Sequence, residues 1–540
     1  MRAIDLLITS LFLSLTACQD DEPPKDEPVE SAAVTLPIAD DLIHQQVLVT
    51  NDEGIDGRRL AIQHCQRCHL FVEPGALPKS IWQDTVLPRM GAFMGMGHAG
   101  AKVEFDLGRH PAERQILFDA GVHARGAEMT LDEWNTLVEY YTSEAPERLE
   151  VSGDRTPIEG ETRLFQEAPF GYRQENANTT LVHIDEESQR LFVGSMTGPD
   201  LSILNANLAR TQKISMGSAP VDLQILNGDL WVTQIGSVYP SDLPMGEVVV
   251  LQSDRGNFLT TMQRRFTGLR RPTYTSYADL NQDGLTDVLM SEFGNQVGAF
   301  NYYQARKKGG YDKVELSREP GSMASYVHDF NGDGWLDVAV VHGQNREGVH
   351  IHYYQGGGKF KTSYALALPP NHGTSSVEFY DFDGDGHLDI LAANGDNGDY
   401  RAVLKPHHGV RVYLNDGKNL FKEAYFFPMN GAGKAFAEDF DLDGDLDIAA
   451  IAMFPDLTNR PEEGFVYLEN VGDLDFRAST IKRVRDGRWL CMDTGDLDGD
   501  GDKDIVIGSF TQGPGEIPLS FLEAWQKGAL AGMVLWNQTK

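Results

Sequence analysis

The sequence predicts a multidomain chain in which a small all-α domain precedes an all-β propeller. Three observations lead there. A run containing two cysteines and a histidine sits among helical signals after residue 57, and an acidic nine-residue pattern recurs five times from Asp279 onward. Strand and turn signals then repeat between those copies, as they do in the blades of a propeller.

The first residues are an address rather than fold. Residues 1–17 carry Arg2, an apolar stretch from Leu6 to Leu15, and small Thr16-Ala17 ahead of Cys18. This is the layout of a secretory signal, and the apolar run is too short to span a bilayer. No later segment is apolar enough to do so. Residues 18–45 are acidic and proline-rich, a composition that cannot bury a core and acts as an extended tether.

A helical domain is predicted over residues 46–150. Its first helix should run Gly57–Cys68 and deliver His69 at its end. Its last helix is announced by a Thr130/Glu133 capping box, and Trp134, Leu137, Val138 and Tyr141 share one face. Ala145-Pro146 stops it. Within this domain Cys65-Gln66-Arg67-Cys68-His69 has the spacing of a covalent c-type haem site. Two thiols so spaced can each add to a porphyrin vinyl group, and the next imidazole is held beneath the iron. A zinc site would need a second ligand pair, and a disulfide oxidoreductase a βαβ setting; neither lies nearby. Cys491, in the apolar run Trp489-Leu490-Cys491-Met492, is expected to be a buried small hydrophobe, so no pair is left for a structural disulfide. Met90 is the expected sixth iron ligand, at the end of an amphipathic helix starting near Trp82; a methionine there raises the potential. Met94, Met96, Met129 and His98 are the alternatives.

The repeated pattern is D-x-[DN]-x-D-G-x-x-D, starting at Asp279, Asp329, Asp381, Asp439 and Asp496, with separations of 50, 52, 58 and 57 residues. Oxygens at positions 1, 3, 5 and 9, with the position-7 carbonyl, can surround a hard cation, and calcium suits that flexible set better than magnesium. The expected ligands are Asp279, Asn281, Asp283, Leu285 and Asp287 in the first loop, and Asp329, Asn331, Asp333, Trp335 and Asp337 in the second. They continue as Asp381, Asp383, Asp385, His387 and Asp389, then Asp439, Asp441, Asp443, Asp445 and Asp447. The last loop offers Asp496, Asp498, Asp500, Asp502 and Asp504, for about five ions in all. An EF-hand is excluded, because position 12 is apolar in every copy and strand-like residues follow.

Val349–Tyr354, Val410–Leu414, Phe465–Leu468 and Val534–Asn537 read as strands followed by turn residues. Five blades therefore carry the loop. Leu181–Ile203 and Val221–Gln234 read as two loop-free blades, giving seven over residues 160–540, with six or eight as the alternatives.

These loops and strands resemble the FG-GAP/VCBS repeats of integrin-α-like propellers. Leu15-Thr16-Ala17-Cys18 resembles a bacterial lipobox, which implies lipidation at Cys18, and Gln19 by the same resemblance implies sorting to the outer membrane. The order of lipobox, CxxCH domain and repeats is similar to that of bacterial VCBS-repeat lipoproteins with an N-terminal single-haem cytochrome c domain. The Leu87-Pro88-Arg89-Met90-Gly91 segment carries part of that likeness.

The net charge of −34 argues against a nucleic-acid partner and for basic ones, among them a redox protein. Twenty aspartates lie in the five loops, so calcium would relieve much of their repulsion and contribute folding energy. Three functions follow as expectations. The first is an anchored electron relay at the periplasmic side of the outer membrane or the cell surface, with the propeller as docking platform. The second is a haem-coupled oxidoreductase acting on a carbohydrate or other small substrate. For it His372, Lys405, His407 and His408 are the candidate acid–base groups, against the plainer reading that they are scattered and exposed. The third is a propeller that grips polysaccharide or protein, with an accessory haem domain.

Overall fold

The computed structural model describes residues 56–96, 108, 110–150, 155–174, 177–398 and 402–540. The signal, the tether, Cys18, Gln19 and His98 lie outside the described residues.

From residue 158 onward the chain is a seven-bladed propeller. Blade 1 runs Thr179–Ser215, blade 2 Pro220–Leu269, blade 3 Pro272–Ser317 and blade 4 Ser322–Ala367, each a four-stranded antiparallel meander. Blade 5 runs Thr374–Pro428 in the same way, and blade 6 covers Ala432–Thr480. Blade 7 takes its first three strands from Trp489–Asn537 and its outer strand from Phe165–Pro169, ahead of blade 1. Phe165 pairs with Asn537 and Pro169 with Met533, so the two ends of the propeller chain are clasped in one sheet and the ring closes. Ile158–Glu161 adds a parallel fifth strand to the edge of blade 6.

The second strand of each loop-bearing blade shows why the sequence folds this way. Asp337–His342 and Asp389–Asn394 are buried along their whole length, because each lies between two neighbouring blades and has no solvent face. They therefore read as apolar runs rather than alternating ones. Outer strands such as Phe360–Ala367 alternate instead, with one face in water. The core is divided accordingly into one apolar cluster at each blade interface. Leu391, Val410 and Val412 of blade 5 meet Ile448, Ala450 and Val466 of blade 6, and Leu191 and Val193 of blade 1 meet Val506 and Val534 of blade 7. First strands line the axis, where Lys434 of blade 6 lies within electrostatic reach of Asp222 of blade 2 and Glu378 of blade 5, and Asp493 of blade 7 within reach of Glu378.

Ahead of the propeller stand helices at Gly57–Cys65, Leu87–Phe93, Pro111–Asp119 and Leu131–Glu144. The first is shorter than the sequence suggested, ending before Cys68 in a turn where Cys68 N–H meets the Cys65 carbonyl at 3.5 Å. The capping box forms as expected: Thr130 N–H donates to Glu133 Oε2 at 2.8 Å, and Glu133 N–H to Thr130 Oγ1 at 3.3 Å. The first and last helices cross at Gly57. A Cβ there would lie 2.4 Å from that of Tyr140, so only glycine allows the approach. The segment before Met90 differs from the expected helix. Leu87 N–H reaches back to the Trp82 carbonyl in a π turn, which opens the spiral ahead of Pro88, a residue with no N–H to give. The helix then runs past Met90 to Phe93.

Candidate functional site

The two ends of the propeller have different chemistry. At one end the five acidic loops join the first and second strands of blades 3 to 7. Each is knitted by its own aspartates. Asp279 Oδ1 accepts from Asp283 N–H at 3.0 Å and its Oδ2 from Gly284 N–H at 2.8 Å, while Asn281 and Asp283 cap the amides two residues on. The pattern recurs at Asp329, Asp381, Asp439 and Asp496, each accepting from the position-six glycine at 2.8 to 3.1 Å. That glycine has φ of +85° to +105°, a backbone that disfavours any side chain.

Carboxylate oxygens of Asp381, Asp383 and Asp385 lie within 4.8 Å of one another, as do those of Asp439, Asp441 and Asp443, and of Asp496, Asp498 and Asp500. Asn281 and Asn331 take the middle place in the first two loops. The position-nine aspartates do something the sequence did not reveal. Asp389 accepts from Phe382 N–H and from Asn415 N–H, both at 2.8 Å, so it ties the loop to the end of the third strand. Asp447 does the same through Asn470 N–H and the Tyr467 hydroxyl, and Asp504 through Leu497 and Asn537. Asp287 and Asp337 likewise accept from Ala305 and Tyr354. These residues are buried, and burial pushes Asp447 and Asp504 up to about 7 and Asp337 up to about 6. Leu285, Trp335, His387, Asp445 and Asp502 occupy position seven, each donating its N–H to the position-five carboxylate.

At the opposite end, loops between second and third strands meet the helical segment. Asp242 of blade 2 donates its N–H to Glu113 Oε1 at 2.8 Å, and Val403 of blade 5 packs into the helical core. Arg346 of blade 4 lies within electrostatic range of Cys68. The CxxCH run therefore faces the propeller rather than standing away from it.

Cys65 and Cys68 are unbridged, and burial pushes the Cys65 thiol up to about 11. His69 Nδ1 lies 2.7 Å from the Leu70 carbonyl, and burial lowers the pKa of its ring. With its proton on Nδ1, donated to that carbonyl, His69 offers the Nε2 lone pair to an iron. A carbonyl accepting from the other ring nitrogen is what orients a metal-bound imidazole. The residues present thus fit a covalent haem. The apolar shell is Leu60, Trp82, Leu137 and Tyr141, held by Trp82 Nε1–H to the Pro74 carbonyl at 2.8 Å and by the Tyr141 hydroxyl to the Val72 carbonyl at 2.9 Å. Met94 and Met129 are core residues of this cluster, and Met90 and Met96 lie partly buried at its margin. That placement leaves the margin methionines better able to turn towards a ligand than the two packed ones.

His372, Lys405, His407 and His408 are neither scattered nor exposed, correcting the plainer reading. Lys405 and His408 are 2% and 1% exposed, and His372 and His407 stack with ring centroids 4.8 Å apart. The sequence could not place them together because they meet across the gap between two loops of blade 5. Burial pushes His372 down to about 3 and His407 to about 4. Neutral imidazoles so far below pH 7 are poorly matched to acid–base catalysis there.

Residues 329–392 match the family model described as FG-GAP-like repeat, a stretch reaching from the acidic loop of blade 4 through the second strand of blade 5. No curated protein matches the chain. A propeller carrying such a repeat is the architecture of a binding or adhesion-type module.

Proposed function

We propose that the protein is a membrane-anchored c-type cytochrome for extracytoplasmic electron transfer, with a calcium-stabilised propeller as its docking platform. The observation that carries this reading is the CxxCH run at a helix end, with His69 tied through Nδ1 to a backbone carbonyl. Cys65 and Cys68 would hold the haem covalently, with His69 and Met90 as its iron ligands. Bound there, the haem would supply one-electron exchange without a substrate. The Leu70 carbonyl would keep His69 in one tautomer, and the apolar cluster against which Cys65 packs would favour the less charged state. Calcium would bind the five loops, and the remaining acidity would steer a basic redox partner. The anchor would be lipid on Cys18, placing the protein on the periplasmic side of the outer membrane or at the surface.

The test is stopped-flow oxidation of the reduced, haem-loaded protein by a small basic redox protein. Rapid transfer that slows steeply with salt supports the relay. Transfer at the rate of an unfolded haem peptide, indifferent to salt, contradicts it. Met90→Ala should lower the haem potential and leave haem attached; an unchanged potential reassigns the axial ligand.

The repeat match favours one second reading, in which the propeller captures polysaccharide or protein. Capture with the same affinity in both haem oxidation states would select that reading.

A further inference from the structure

Blade 4 carries a cluster used by neither the acidic loops nor the CxxCH run. Glu319 lies in the connection entering the blade, His342 ends the second strand, and His350 sits on the third strand, Gly348–Tyr354. One carboxylate oxygen of Glu319 and one ring nitrogen of each histidine lie within 4.8 Å of one another. The two imidazoles stack with centroids 4.3 Å apart. We propose that Glu319, His342 and His350 form a site for one first-row divalent transition-metal ion.

Unpaired polar atoms point to an ion rather than to packing. Glu319 Oε2 and both ring nitrogens of His342 are buried without a hydrogen-bond partner; the Pro320 carbonyl approaches His342 outside hydrogen-bonding geometry. A buried polar group left so carries its full desolvation cost, and a single cation would relieve several at once. The surroundings also resemble an outer shell around ligands. His350 Nε2 lies 3.1 Å from the Arg346 carbonyl; with its proton there, Nδ1 is left with the lone pair. Arg346 lies 3.5 Å from Glu319 Oε1 and donates to the Tyr364 hydroxyl at 2.6 Å, holding one carboxylate oxygen and leaving Oε2 for the ion.

The donor set decides the class of ion. Two imidazoles and one carboxylate suit zinc or iron(II) and are a poor shell for calcium, which takes oxygen ligands. Three protein ligands leave a coordination position for water or a substrate atom, as in reactive rather than purely structural sites. Arg346 lies within electrostatic range of both Glu319 and Cys68, so the ion would lie at the end of the propeller that faces the CxxCH run.

Zinc alone is the probe. The full mature chain, in excess calcium to occupy the acidic loops, is titrated with zinc by calorimetry, and its zinc-edge X-ray absorption is recorded. One zinc per chain in a nitrogen and oxygen shell is expected. Glu319→Gln and His342→Leu should each weaken binding by more than the roughly 10–100-fold typical of outer-shell changes. Their calcium-dependent melting should match the parent, and Glu319→Gln, being isosteric, keeps the test intact if His342→Leu misfolds. Failure to take up zinc, undiminished affinity in Glu319→Gln, or sulfur in the shell would overturn the proposal. Sulfur would place the ion at Cys65 and Cys68. Loss of binding in His407→Gln alone would place it in blade 5.

Discussion

The two ends of the propeller are built by opposite rules. The end with the acidic loops is five near-copies of one device, each with the same glycine and the same aspartate-to-amide bonds. The end facing the helices is irregular: blade 2 contributes Asp242, blade 4 Arg346 and blade 5 Val403, and none of these is repeated. Repetition announces architecture, because every blade meets the same packing problem. The irregular end holds what is particular to this molecule, including two buried histidine groups and the surface against which the CxxCH run lies.

The largest expected effect falls on the repeated end. Removing calcium should lower the propeller's stability by several kcal/mol, since each site contributes about 2.7 kcal/mol when calcium stands a hundredfold above its Kd. Differential scanning calorimetry with and without chelator would show it. A transition insensitive to chelation would mean that the loops are knitted by their own hydrogen bonds alone.

Next comes a contrast within one loop. Asp447→Ala removes the tie to Tyr467 and Asn470, and should destabilise by roughly 1–3 kcal/mol even without calcium. Asp443→Ala, which on the proposed reading would lose mainly a cation ligand, should matter chiefly when calcium is present. Denaturant titration of both variants in both conditions separates the roles; identical behaviour would merge them.

An effect of similar size comes from the axis. Burial pushes Glu378 up to about 7 and Asp222 up to about 6, with Lys434 partly opposing both. An acid whose folded pKa is raised holds its proton more tightly in the folded state. Its contribution is therefore full below its unfolded value and lost as pH rises through the folded one. Stability should fall from about pH 4.5 to 7 by on the order of 1–3 kcal/mol on account of Glu378. Glu378→Gln should flatten that slope, as read from urea midpoints across the range; an unchanged slope would assign it to other groups.

Much of the propeller was legible because its second strands are buried on both faces and therefore apolar, and because Gly284 and its four counterparts mark one turn geometry. Both loop-free blades were visible through runs such as Arg190–Gly194. The closing strand Phe165–Pro169 was not, since nothing in its residues names a partner at Asn537. The Pro111–Asp119 helix was also missed, although His110-Pro111 supplies both a cap and a proline in the first turn. The acidic loops were readable as a pattern, but the strand-tying bonds of the position-nine aspartates were not, because their acceptors serve amides far along the chain. The blade 4 cluster joins residues from a connection and two strands. Its one sequence signal was histidine inside strands that are otherwise apolar.

On the proposed reading, the irregular end of the propeller faces a covalently held haem. The most direct measurement is the intact mass and visible spectrum of the oxidised, calcium-loaded protein, made in a host with c-type haem maturation. One covalent haem, lost in Cys65→Ser/Cys68→Ser, with a low-spin spectrum showing the far-red methionine–iron band, is the predicted result. A chain of apoprotein mass with no Soret absorption would contradict it.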